Sequence, residues 1–209
     1  MPVDNGAANP VLAEVIRNNR VESCHRGSAL AVDAAGEAVF AVGRVERDLY
    51  PRSALKFFQA IPLVESGAAA RFALSAQHLA LACASHNGEP LHVDTVRAWL
   101  SAIGLSEASL ENGPGPPWRS ADRERLAAAG QKPGKAHHNC SGKHAGMLTT
   151  AAHLGFDTAG YSGHAHPVQR RWMEALSAMV ELDIAALPYE RDGCGLPAVC
   201  MPMLSLIHI

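Results

Sequence analysis

Residues 28–43, SALAVDAAGEAVFAVG, hold two short apolar runs separated by Asp33-Ala34-Ala35-Gly36. Such runs on either side of a turn that ends in glycine predict a hairpin, so the chain is committed to antiparallel pairing near its start. Later segments read mainly as helix. Ser53 to Ile61 is a short, mostly apolar helical stretch that Pro62 is expected to halt or bend. Ser75 is placed to cap a second helix through QHLALACA, apolar nearly all round as a buried segment is. Pro90 to Ile103 puts Val93, Val96, Trp99, Leu100 and Ile103 on one face, with Gly104 as the stop. ENGPGPPWRS (111–120) and QKPGKAHHN (131–139) are loops around a polar helical piece. CSGKHAGMLTTAAHLG is a helix closing on Gly155, a last helix starts at Pro167, and RDGCGLPAVCMPM is extended.

At 209 residues one domain is the default. An N-terminal segment over 1–20, a single catalytic domain over 21–203 and a non-native end over 204–209 are expected, because LSLIHI is apolar and carries no stop signal. A composition 48% hydrophobic and 18% charged is that of a soluble globular protein. The formal net charge of −2, with no basic cluster, gives no handle for nucleic acid. The first twenty residues hold no continuous apolar run, so neither a signal peptide nor a membrane span is readable and a cytoplasmic location is expected. Five cysteines, 24, 83, 140, 194 and 200, are scattered, which favours reduced thiols or a metal site over a disulfide scaffold. Cys24, Cys83 and Cys200 lie among apolar neighbours and are expected in the core.

In YPRSALKFFQ, Ser53 precedes Lys56 by three residues, a spacing that brings hydroxyl and amine onto one helical face. A serine needs a neighbour to take its proton, and a lysine does so when its surroundings favour the free amine. The alternative is a helix cap followed by a surface lysine, but the apolar run Leu55, Phe57 and Phe58 leaves Lys56 little surface to face. Ser85-His86-Asn87-Gly88-Glu89 is a polar cluster leaving a helix, either a site or an ordinary helix exit. His137 to His144, HHNCSGKH, is the densest set of metal-ligand types in the chain, and Cys194 sits between two glycines in DGCG. Thiolate and imidazole suit zinc, although no Cys-x-x-Cys pair is present; two inert buried cysteines beside a polar helix start remain the alternative.

PRSALK, CASHNGEP, HNCSGKHAGM and DGCG, in this order and spacing, resemble the rhizobial-type L-asparaginases over roughly residues 20–200. The resemblance implies an α+β fold in which an antiparallel sheet packs with helices, similar to the serine-dependent glutaminases and β-lactamases. It implies hydrolysis of L-asparagine to L-aspartate and ammonia, with Ser53 as nucleophile, Lys56 as its base and Ser85 as the serine of a second Ser-Lys pair. The lysine of that second pair lies, in the family, later than anything present here, so a C-terminally truncated chain is expected. Cys140, Lys143 and Cys194 match positions that hold zinc, Asp192 matches the group that recognises the substrate's α-ammonium, and Arg52 and His144 shape the site. A small-molecule substrate and a homodimer are implied. A β-lactamase or peptidase-like hydrolase and a non-catalytic zinc-binding interaction domain stay open.

Overall fold

The structure, a computed structural model, describes residues 8–207. In chain order the strands are β1 (Val11–Arg17), β2 (Arg20–Arg26), β3 (Ala29–Val32), β4 (Ala38–Val42) and β5 (Asp48–Leu49). Seven helices come next: α1 (Lys56–Glu65), α2 (Ala68–Arg71), α3 (Ala76–Cys83), α4 (Pro90–Ala102), α5 (Ser120–Ala128), α6 (Ser141–Leu154) and α7 (Pro167–Val180). Strands β6 (Tyr189–Arg191), β7 (Pro197–Val199) and β8 (Met201–Pro202) close the chain. Every strand pair described is antiparallel, and the class is α+β.

The chain divides into two compact units, the first made of residues up to Leu49 together with Met201 onward, the second of Tyr50–Cys200. In the first unit β3 and β4 form the expected hairpin, Ala29 opposite Val42. Its turn is held by Asp33, whose Oδ1 accepts from the N–H of Ala35 at 2.8 Å and of Glu37 at 3.0 Å, while Gly36 supplies the left-handed φ of 85°. A second hairpin, β1 with β2, turns at Asn18 and Asn19, both at positive φ (47° and 60°). Asparagine is among the few residues that accept that conformation in a two-residue turn. Both faces of this hairpin are exposed, which puts Cys24 at the surface and corrects the core placement expected for it. β5 pairs with β8, Leu49 opposite Met201.

The second unit is helical. Residues Ser141 to Ala151 of α6 are all buried, and its small residues explain how it lies so deep. A Cβ on Gly142 would stand 2.4 Å from the carbonyl oxygen of Leu81 in α3, and one on Gly146 would touch Ala82 and Leu63 at 3.4 Å. Glycine here admits a close helix approach. Helix α1 runs through Pro62 to Glu65 instead of stopping at it. Proline removes one N–H, the one that would bond to Phe58, but its own carbonyl still accepts from Ser66 N–H at 3.1 Å, so the helix carries on for a turn. α3 buries Leu81 and Ala82 only, and Cys83 is exposed, again unlike its expected core position; Cys200 is half-buried. α4 packs Val93, Val96, Trp99 and Leu100 inward as its periodicity predicts, and α7 buries Val168, Trp172, Leu176 and Val180. Gln169, also buried, accepts from Trp172 Nε1 at 2.7 Å and donates to the Tyr161 carbonyl at 2.8 Å, tying the 155–166 loop to α7. None of the described helices is long and apolar enough to cross a membrane.

Candidate active site

Arg52–Leu55 forms one turn of 3-10 helix that leads into α1 at Lys56. Arg52 is exposed and has a φ of 52°, a left-handed conformation that a residue with a Cβ rarely adopts, immediately before Ser53. Lys56 is 2% exposed, lying with Leu55 and Phe58 in the core. Its Nζ donates to the carbonyl of Ala84 at 2.9 Å and to Ser85 Oγ at 2.6 Å. Ala84 is the residue that ends α3, so its carbonyl has no helical partner and a lysine is a natural one. Ser53 Oγ stands 3.4 Å from Ser85 Oγ. Ser53, Ser85 and Lys56 therefore converge, but differently from what their spacing predicts. Among the described residues no hydrogen bond joins Ser53 to Lys56; Ser85 is interposed, because Lys56 follows the face of α1 that meets the end of α3. Both hydroxyls are less enclosed than the buried amine behind them. A cavity of about 360 Å³ opens beside Ser85, between Leu81, Leu91 and His92.

His86 follows Ser85 and lies 2.8 Å, through Nε2, from Ser141 Oγ, which suggests a serine with its base. Proton counting excludes it. Ser141 has one proton and donates it to the Ala136 carbonyl at 2.9 Å, so it accepts from His86 Nε2–H, while His86 Nδ1 accepts from Gly88 N–H at 3.1 Å. Both ring nitrogens are used. Burial, followed by the positive fields of His92 and Lys56, pulls the His86 pKa down to about 4, so the ring is neutral. Its role is structural: with the His86 N–H to Asn139 carbonyl bond of 3.1 Å, it lays the Ser85 loop on the 136–141 turn. The packing there is tight, since a Cβ on Gly88 would stand 2.6 Å from the His137 carbonyl oxygen.

That turn starts the second cluster. Cys140 caps α6, Lys143 and His144 lie in its first turn, and Cys194 and Asp192 come from the β6–β7 turn. Asp192 Oδ1 accepts from the N–H of Cys194 at 2.8 Å and of Leu196 at 3.3 Å, fixing that turn, and its Oδ2 stands 3.5 Å from Lys143 Nζ. The two buried thiols perturb one another, Cys194 lowering the Cys140 pKa and Cys140 raising that of Cys194. Burial opposes a charge on Lys143, but Cys194, Cys140 and Asp192 together outweigh it, so the ammonium is stabilised. Burial likewise opposes the Asp192 carboxylate, and Lys143 with the two backbone N–H donors more than offsets it. Lys56 is near enough to act on Cys140 as well.

Zinc takes two thiolates readily, and this buried pair, drawn from two segments, fits it. Among the described residues no three His, Cys, Asp or Glu side chains are placed to hold a metal ion. Were zinc bound by the two thiols, a third protein ligand would have to be the Lys143 amine, which could serve only after giving up its proton. His144 and Tyr161, both fully buried, meet at 2.6 Å between Nδ1 and the phenol oxygen. Tyr161 is absent from the residues its sequence marks out, lying in a glycine-serine-histidine loop with no motif around it.

The sequence model of a family described as L-asparaginase II matches residues 13–209 of this chain. No curated protein matches it.

Proposed function

Because the chain belongs to the L-asparaginase II family, a family of amidohydrolases, we propose that it hydrolyses L-asparagine to L-aspartate and ammonia through an acyl-enzyme on Ser53, as a rhizobial-type member. The observation that carries this reading is the convergence of two hydroxyls on one buried lysine, Ser53 Oγ 3.4 Å from Ser85 Oγ and Ser85 Oγ 2.6 Å from Lys56 Nζ. Ser53 Oγ attacks the side-chain amide carbon. Its proton passes to Ser85 as the Ser85 proton passes to Lys56, which needs the free amine at Nζ for that step. The collapsing tetrahedral intermediate releases ammonia, carrying the proton that Lys56 returns. Water then opens the ester, gives up a proton along the same path, and restores Ser53. Asp192, a carboxylate, binds the substrate's α-ammonium, and Arg52 and His144 shape the site.

Cys140, Cys194 and Lys143 would hold a zinc ion. When bound, such an ion supplies a fixed positive centre able to orient a polar substrate. The residues themselves join the start of α6 to the β6–β7 turn and keep Asp192 ionised beside Lys143.

Ammonia release from L-asparagine by the unmutated chain, Ser53→Ala, Ser85→Ala and Lys56→Met tests the assignment. General-base removal costs about 10²–10⁴-fold, and all three variants are expected to fall at least that far. A trapped aspartyl ester mapped to Ser53 supports the nucleophile, whereas an ester on Ser85 assigns that role to Ser85. Lys56→Met working as fast as the unmutated chain would remove the base. Stoichiometric zinc with no amide hydrolysis would make the chain a binding module instead.

A further inference from the structure

Tyr161 Oη accepts a hydrogen bond from the Glu111 N–H at 3.0 Å and lies 2.6 Å from His144 Nδ1. A phenol has one proton to give. If the imidazole carried its proton on Nδ1, the Tyr161 oxygen would face two donors and its own proton would have no acceptor. In a residue with no exposed surface such an orphan is unfavourable. With Tyr161 donating to Nδ1 the phenol is satisfied and the imidazole proton lies on Nε2, so one unpartnered donor replaces an unpartnered phenol proton together with an unpartnered Nε2 lone pair. His144 Nε2 is buried and has no partner among the described residues.

We propose that Tyr161 is a positioning residue: it fixes His144 as the neutral imidazole protonated on Nε2, so that one preset donor waits in the first turn of α6 for an acceptor oxygen brought by substrate or ordered water. The phenol is itself held from several sides. The Glu111 carboxylate accepts from Gly160 N–H at 2.5 Å and Ser162 N–H at 2.9 Å, bracketing Tyr161, and Gln169 holds its carbonyl. A donor fixed in this way needs no reorientation when its acceptor arrives, which is how a polar group inside a closed site contributes most. Lys143 precedes His144 directly, and Asp192 lies within reach of both, so the waiting donor belongs to the same cluster. What the donor serves rests on the amidohydrolase reading, but the tautomer does not.

The test is the ring-nitrogen spectrum of the full chain with ¹⁵N-labelled histidine, the His144 signals being those that disappear in His144→Gln. Nδ1 is expected as a hydrogen-bonded acceptor and Nε2 as the protonated nitrogen, and Tyr161→Phe is expected to abolish that fixed pattern. A proton on Nδ1 in the unmutated chain, or an identical pattern in Tyr161→Phe, overturns the proposal. The unmutated spectrum decides even where Tyr161→Phe does not fold. A double-mutant cycle adds a functional reading: Tyr161→Phe should lower kcat/KM about 10-fold, the worth of one hydrogen bond, but less than about twofold when position 144 is glutamine, which has no tautomer to fix. An equal loss in both backgrounds would make Tyr161 merely structural and overturn the positioning role. If the chain releases no ammonia, the amidohydrolase reading fails, and the spectrum still decides the tautomer.

Discussion

His86 holds a neutral ring down to about pH 4, while in an unfolded chain the same imidazole takes up a proton near pH 6.5. Between those values the unfolded state binds more protons, so stability is full above about pH 6.5 and is lost as pH falls toward 4. The shift corresponds to on the order of 3 kcal/mol before solvent screening. His144, also held neutral by burial, acts in the same direction. Urea midpoints at pH 7 and pH 5 should therefore differ clearly, and His86→Gln, which keeps an amide donor for Ser141 but cannot titrate here, should narrow the gap. An undiminished gap in that variant would place the acid sensitivity elsewhere. At this scale the sequence shows where polar groups cluster, as in Ser85 to Glu89, but not how they pair. Ser53 and Lys56, three residues apart, meet only through Ser85. Pairings that cross the fold are invisible in one dimension. The Lys56 bond to Ser85 depends on where α1 meets the end of α3, and the Tyr161 phenol finds His144 from a loop with no pattern of its own.

Helix α6 owes its depth to residues without side chains, and this makes a graded expectation possible. Gly142→Ala places a methyl 2.4 Å from a backbone oxygen, which cannot swing aside, and should cost about 1–3 kcal/mol. Gly155→Ala meets nothing within 4 Å but keeps a φ of 70° at the end of the helix, and should cost about 1 kcal/mol. Thermal unfolding of the two variants checks the order, and a more harmful Gly155→Ala would contradict the close approach to α3. The amphipathic helices α4 and α7 are legible because burial on one face imposes a 3.6-residue period. The β1–β2 hairpin is not, because both of its faces are exposed and no alternation is imposed; only the Asn18-Asn19 pair hints at its turn. Cys24 shares that exposure, flanked in sequence by the polar Glu22, Ser23, His25 and Arg26. Pro62 misleads for a different reason: it deletes one hydrogen bond, and a helix already packed on α6 and α7 tolerates the loss.

Across the whole molecule, Cys140 and Cys194 bring together segments 54 residues apart in sequence, so a metal held by them would act as a cross-link that exists only in the folded state. Ligand binding to the native state alone adds about 2.7 kcal/mol at a hundredfold excess over Kd, roughly 5–10 °C in Tm for a chain of this size. Zinc should raise the Tm by about that much, a chelator should reverse the rise, and Cys194→Ser should be insensitive to both; an unmoved Tm in the unmutated chain would count against a metal on these thiols. The charge inventory has one more outcome. The chain has four lysines, 56, 132, 135 and 143. Lys56 and Lys143 are enclosed, and Lys135 is engaged by the carbonyls of Ala108 and Leu110. Apart from the terminal amine, Lys132 is then the one side-chain handle that an acylating reagent meets freely. Apart from reaction at the terminal amine, coupling to a support should tether the folded protein through the 131–134 loop and leave both enclosed amines unmodified, a side-chain attachment in nearly uniform orientation that peptide mapping would read directly.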